Sequence, residues 1–345
     1  MESRVNRIFN SISDKVADDV AEVIYMTTEN TYLVVITSGA FCYCYSMPTY
    51  QRRFILDVKL SNRQIARIMK AFQENGTPFD IETSCNTFDR TWITSCALTN
   101  NAEVLAVGYY DGFMYLLNTA TRDILHIVQA HVDFISCLVF TKNGLLLSGG
   151  ADSNIKVWAG FTEPVLSSEY VFLKHTDKIT SMRTFLIKTS NKEFVLSSDT
   201  DGVVYYWEIG SYKAEKYLAV DSNSLIDGNP DLVYSIVPEG SCILLKQFSF
   251  NKKGCVKKVV LRNFDGLDEV SIQARFGFND SEIFQPKVKS FIGIANGILV
   301  VWTRGDAVEF FDINNLTKLY EIKLSIIPNM IKLTKKMNEL LLFYK

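Results

Sequence analysis

AHVDFISCLVFTKNGLLLSGGADSNIKVWAG, residues 130–160, decides how the rest of the chain is read. Three short apolar runs, at 135–140, 144–148 and 155–158, are separated by polar or glycine-containing turns, which is the rhythm of consecutive antiparallel strands. A second copy follows at 175–209, HTDKITSMRTFLIKTSNKEFVLSSDTDGVVYYWEI. Ser148, Asp152 and Trp158 are spaced four and then six apart, and Ser197, Asp201 and Trp207 repeat that spacing. A histidine, His131 or His175, opens each copy. A four-strand unit is too small to bury its own apolar face, so a tandem repeat implies stacked units that share one architecture.

The repeat resembles the WD-repeat family of β-propellers, whose blades run about 40–45 residues from a Gly-His start to a Trp-Asp end. Here the opening dipeptides are Ala-His and Lys-His, and the closing ones Trp-Ala and Trp-Glu, so the resemblance is to a divergent member. It implies an all-β fold, a seven-bladed propeller in one domain spanning 1–345. With the two clear repeats as a ruler, a first blade falls at 20–60 and another at 91–129, with Asp111-Gly112 at its turn. After the clear repeats, DSNSLIDGNP (221–230) reads as a turn-rich linker. The fifth blade then takes LVYSIVP, SCILLKQFSF, VKKVVLRN and EVSIQARF as strands, with Lys253-Gly254 at its turn. The sixth takes VKSFIGIA, GILVVWTR, DAVEFFDI and LTKLYEIKL, with Arg304-Gly305 at the turn. Only IIPNMIKL and NELLLFYK remain, so the last blade is short or composite. The segment 1–17 would close it as a strand, or dock as a helix, since Val5, Ile8, Phe9, Ile12 and Val16 fall at helical spacing. Between 61 and 89 the strand pattern breaks. Ile65, Ile68, Met69 and Phe72 recur at helical spacing, which predicts an insertion with a short helix near 61–76.

Composition narrows the function classes. The chain is 48 % hydrophobic, ample for a packed core, and its net charge of −2 gives no global electrostatic case for nucleic acid. Seven cysteines without a Cys-x-x-Cys imply neither a disulfide framework nor a zinc site, and fit reduced thiols packed as small hydrophobes. That reading expects an intracellular protein of the nucleus, the cytoplasm or both. No run of about 18 apolar residues is present, so no membrane span is expected.

In each clear repeat the resemblance implies a structural brace, a hydrogen-bonded chain from tryptophan through serine and histidine to a turn aspartate. One set is His131, Ser148, Asp152 and Trp158, the other His175, Ser197, Asp201 and Trp207. A Ser-His-Asp set invites comparison with hydrolytic triads, but a nucleophile must meet substrate in a cleft. Here the serine lies mid-strand and the indole N–H needs a buried acceptor. The turn acids are explained by side-chain-to-backbone bonding, and no phosphate loop, His-Glu-x-x-His or Gly-x-Ser-x-Gly appears. No catalytic residue, metal ligand, cofactor or small-molecule substrate is therefore expected.

Propellers of this family commonly bind partners on the face formed by the turns between second and third strands and the loops between blades. By register Trp92, Tyr110 and Phe134 fall there on adjacent blades, with Lys178 and Arg304 at related positions. Aromatic anchors dominate interface energetics, although packing between blades accounts for the same residues. The expectation is a non-catalytic scaffold or adaptor, a subunit of a stable multiprotein complex that docks proteins on this face and on its open last blade. A rival class is a module for nucleic acid or a phosphate-bearing surface, drawn from the basic cluster Arg52, Arg53, Lys59, Arg63, Arg67 and Lys70.

Overall fold

The computed structural model describes residues 21–58, 93–272, 290–333 and 340–343, except 28–30, 38–39, 48, 162–165, 188–191, 212, 223, 253, 265, 270, 296 and 329. The predicted N-terminal closing segment (1–17), the insertion at 61–89 with its helix, and Trp92 lie outside the described residues.

Short apolar runs bounded by turn formers fold as antiparallel meanders among the described residues. The first sheet holds β1 (Ala21–Met26), β2 (Tyr32–Thr37), β3 (Phe41–Ser46) and β4 (Gln51–Asp57). The second holds β5 (Ile93–Leu98), β6 (Val104–Tyr109), β7 (Phe113–Asn118) and β8 (Ile124–Gln129). The third holds β9 (Ile135–Phe140), β10 (Leu146–Gly150), β11 (Ile155–Ala159) and β12 (Ser167–Phe172). The fourth holds β13 (Ile179–Ile187), β14 (Lys192–Asp199), β15 (Val203–Glu208) and β16 (Ala214–Ala219). These four sheets follow the boundaries expected from the repeat.

The fifth sheet does not. Its strands are β17 (Leu225–Gly228), β18 (Leu232–Glu239), β19 (Cys242–Ser249) and β20 (Gly254–Asn263). The innermost strand lies inside the stretch read as a linker, and the segment expected to supply the outer strand instead forms a helical turn at 269–272 in its described part. The reason is tertiary. Only Leu225 and Ile226 are apolar in β17, but Asp227 accepts from the Ile294 amide at 3.1 Å and from the Arg183 guanidinium. Arg183, from the fourth sheet, also donates to the Ile294 carbonyl at 2.9 Å. Three sheets thus pin a four-residue strand whose own sequence reads as turn.

The sixth sheet is β21 (Phe291–Ala295), β22 (Ile298–Trp302), β23 (Ala307–Asp312) and β24 (Lys318–Lys323). β25 (Met330–Leu333) and β26 (Leu340–Phe343) form a two-stranded sheet. Among the described residues the architecture is all-β, with six four-stranded sheets and one of two strands.

First strands of consecutive sheets adjoin, β1 against β5, β5 against β9, β9 against β13, β17 against β21 and β21 against β25. Sandwiched between neighbouring sheets, the middle strands are apolar on both faces: β7 buries five of its six residues and β10 all five. Outer strands lose that cover, and β24 is exposed at five of six positions. Because each sheet is an up-and-down meander, its second-to-third turn and its loop to the next sheet emerge at one end. That end carries the site.

Candidate functional site

In the third sheet the loop after β8 brings His131 over β10. Its Nδ1 lies 2.8 Å from Asp152 Oδ1 and its Nε2 2.8 Å from Ser148 Oγ, and Ser148 in turn accepts the Trp158 indole N–H at 2.9 Å. His131 and Ser148 are fully buried. Burial pushes the Asp152 carboxyl up, but the bond and charge of His131, with the amides of Asn154 and Val132, outweigh it and hold the group down at about 2. A serine that both accepts from an indole and is held by a histidine, without access to solvent, ties a loop to two strands. It offers no nucleophile to a substrate.

The fourth sheet repeats the chain with one change. His175 Nε2 meets Ser197 Oγ at 2.8 Å, and Trp207 Nε1 donates to that oxygen at 3.3 Å. His175 Nδ1, however, pairs with Asp199 at 2.9 Å, not with the expected Asp201. Asp201 is exposed and accepts only a 3.3 Å bond from the Thr176 hydroxyl among its described partners. The register explains the exchange. Asp199 stands where the third sheet has Gly150, and a Cβ added at Gly150 would come within 2.4 Å of His131 Nδ1 and 2.5 Å of Asp152 Oδ1. Glycine there leaves room for the turn aspartate to reach the histidine. An aspartate there fills that room itself and leaves Asp201 outside.

A third member of this series escaped the sequence reading. In the fifth sheet Asp221, from the incoming loop, accepts from Ser235 Oγ of β18 at 3.2 Å and from Lys246 Nζ of β19 at 2.8 Å. Glu239, at the turn, holds the same ammonium at 2.5 Å. Loop, second strand, third strand and turn are tied as before, with charges in place of histidine and tryptophan. Burial pulls the Lys246 ammonium down, yet the two carboxylates outweigh it and raise its pKa. Glu239 is lowered by its bond to and the charge of Lys246. Beside these ions lies a solvent-open pocket of about 300 Å³, lined by Asp221, Pro238, Glu239, Lys246 and Glu269 among others. The signal available in sequence, Ser235 fourteen residues after Asp221, lay behind the misplaced linker.

At the same end the second, third and fourth sheets present Tyr110, Phe134 and Lys178. The Tyr110 and Phe134 rings stack at 5.5 Å with planes 5° apart, and Lys178 Nζ lies 4.9 Å from the centre of the Phe134 ring. All three side chains are half-buried. Their backbones are fixed by the neighbouring turns: the Ala151 amide donates to the Phe134 carbonyl at 2.9 Å, and the Thr200 amide to the Lys178 carbonyl at 2.9 Å. Asp133 and Asp177 each accept from the following amide at 2.7 Å, the same cap in both sheets. Arg304 sits two sheets further on, at the β22–β23 turn with φ of 53°, and is not part of the row. Among the described residues no group of three or more His, Cys, Asp or Glu side chains is placed to hold a metal, and no helix is long and apolar enough to cross a membrane.

Residues 122–159 match the family model described as WD domain, G-beta repeat. The matched span takes in β8 through β11, the outer strand of one sheet and the inner three of the next. In sequence the chain is 31 % identical over 132 residues to a pre-rRNA-processing protein, IPI3, of Mycosarcoma maydis, covering 33 % of this chain and 22 % of that protein. It is 38 % identical over 65 residues to a retinoblastoma-binding protein 5 homolog of Drosophila melanogaster, covering 19 % of this chain and 13 % of that one. The matches thus span less than a quarter of either relative. Among solved structures, U3-55K and the RRP9 WD40 repeats each superpose over 94 % of this chain with a TM-score of 0.62 and 14 % identity, covering 88 % and 87 % of those chains. At that identity the likeness is one of fold.

Proposed function

With the chain a divergent WD-repeat protein, we propose that it is a non-catalytic interaction scaffold, a subunit of a multiprotein assembly that binds protein partners on its turn-and-loop end. One observation carries this reading: Tyr110, Phe134 and Lys178, from three successive sheets, form a continuous stacked row that stays partly open to solvent. Large aromatics held rigid by neighbouring backbone lose little entropy on binding and suit interface anchors. The seven sheets then serve as seven blades, the last, two-stranded among the described residues, being a second docking element. The pre-rRNA-processing relative supports an assembly inside the nucleus.

Acids at the same end, Asp133 and Asp201 among them, weigh against a phosphate backbone as the ligand. The test is replacement of Tyr110 and Phe134 by alanine together. Proteins co-purified from native extract by the wild-type chain are expected to be lost from the variant, with the melting temperature nearly unchanged. Retained capture, or a large fall in melting temperature, would return the pair to ordinary packing.

A further inference from the structure

The outer edge of the fifth sheet differs from the others. β20 runs ten residues, against six or seven for β4, β8, β12, β16 and β24. It is the terminal strand of its sheet and pairs only with β19 among the described residues. Its sequence, GCVKKVVLRN, holds the cations Lys257, Lys258 and Arg262 and no acid. Val256 and Val260 are 42 % and 59 % exposed. Alternation puts Lys258 and Val260 on one face, while Val256 is the extra residue at a register shift between Cys255 and Lys257.

The positive charge of this edge is only partly answered. Lys257 donates to the Asn315 carbonyl, a neutral acceptor. Lys258 lies 3.8 Å from Glu239, whose nearer partner is Lys246 at 2.5 Å. By contrast, the cation on β24 is matched twice, Lys318 meeting Glu309 at 2.8 Å and Glu321 at 2.7 Å. Lysines along an edge repel a like edge, so this strand is guarded against a second copy of itself. The same cations attract an extended chain of opposite charge, and the strand is long enough to pair about 33 Å of it.

We propose that β20 is the docking edge for an extended segment of a protein partner in which an acidic and an apolar residue stand two positions apart, so that both lie on one face. That segment adds as a fifth strand to the fifth sheet. Main-chain bonds to the edge of β20 that no described strand covers supply affinity, Val260 is covered by an apolar side chain, and Lys258 on the same face takes a carboxylate. This surface is separate from the Tyr110–Phe134–Lys178 row and stands independently of it.

The test uses the full chain and a labelled ten-residue threonine peptide with valine and glutamate in turn at every second position, so that both share a face, and the same peptide with lysine for glutamate as control. Fluorescence anisotropy is expected to show binding of the acidic peptide alone, weakened tenfold or more between about 50 and about 500 mM salt. Amide exchange should slow at 255–262, Lys258→Glu should weaken binding about tenfold, and Phe134→Ala should leave it unchanged. Val260→Pro should abolish it; if that variant fails to fold, Lys258→Glu and the exchange map decide. No binding, equal binding of the lysine peptide, protection confined to other strands, or self-association of the chain through β20 would each overturn the proposal.

Discussion

The fourth and fifth sheets solve one mechanical problem with opposite chemistry. Each must tie an incoming loop to its second strand, third strand and turn. The fourth does so with a fully buried quartet, His175, Ser197, Asp199 and Trp207, in which the indole also stacks on Phe172 at 4.8 Å. The fifth uses Asp221, Ser235, Lys246 and Glu239, with a solvent-open pocket beside the ions. Packing and buried hydrogen bonds survive salt, whereas ion pairs near the surface are screened and carry a desolvation cost. The difference teaches that the fold requires the tie, not the residues that usually make it.

The contrast can be broken or sharpened by substitution. Trp207→Ala should cost the most, about 3–5 kcal/mol, because it opens a cavity in a closed core. Denaturant unfolding measures it, and a loss below about 1 kcal/mol would mean that the stacked indole is dispensable. Asp199→Asn should cost about 2 kcal/mol by weakening the buried partner of His175, whereas Asp201→Asn should stay within about 0.5 kcal/mol. Equal effects would restore Asp201 to the quartet.

Asp152 sharpens the comparison by pH. Its folded pKa, about 2, lies below the ordinary carboxyl value of 3.8. The stability it contributes is therefore complete above about pH 4 and is lost as pH falls toward about 2. Asp152→Asn should lower stability near neutrality by about 1–2 kcal/mol after screening, and the two melting curves should converge near pH 2. Curves that stay parallel would show that its bond to His131 contributes nothing.

The smallest effect belongs to the ionic tie. Lys246→Met should change stability by no more than about 1 kcal/mol in either direction, since a methionine fills part of the pocket while the carboxylates near it turn to solvent. A loss of about 3 kcal/mol or more would show that the ions stabilise the fifth sheet as strongly as the indole does the fourth.

These two sheets also mark how far the sequence could be read. In the fourth, Phe194 to Leu196 and Val203 to Trp207 are continuous apolar runs and a turn glycine separates them, so the strands were legible. In the fifth, β17 contains two apolar residues followed by an aspartate and a glycine, and nothing local marks it as a strand. It exists because Arg183 and the Ile294 amide meet Asp227 from neighbouring sheets. The surface row was legible as positions; its parallel stacking, and the separation of Arg304 from it, were not.

By itself the sequence determined the repeating four-strand unit, its turns, and the serine, histidine and tryptophan that recur within it. All of these follow from local alternation and fixed spacing along the chain. The tertiary structure alone decided which aspartate reaches His175, which residues replace the histidine and tryptophan in the fifth sheet, and where that sheet begins. Those outcomes depend on the room left by Gly150 or taken by Asp199, and on charges from adjoining sheets. Residues far apart in the chain set that room and those charges, and no local pattern encodes them.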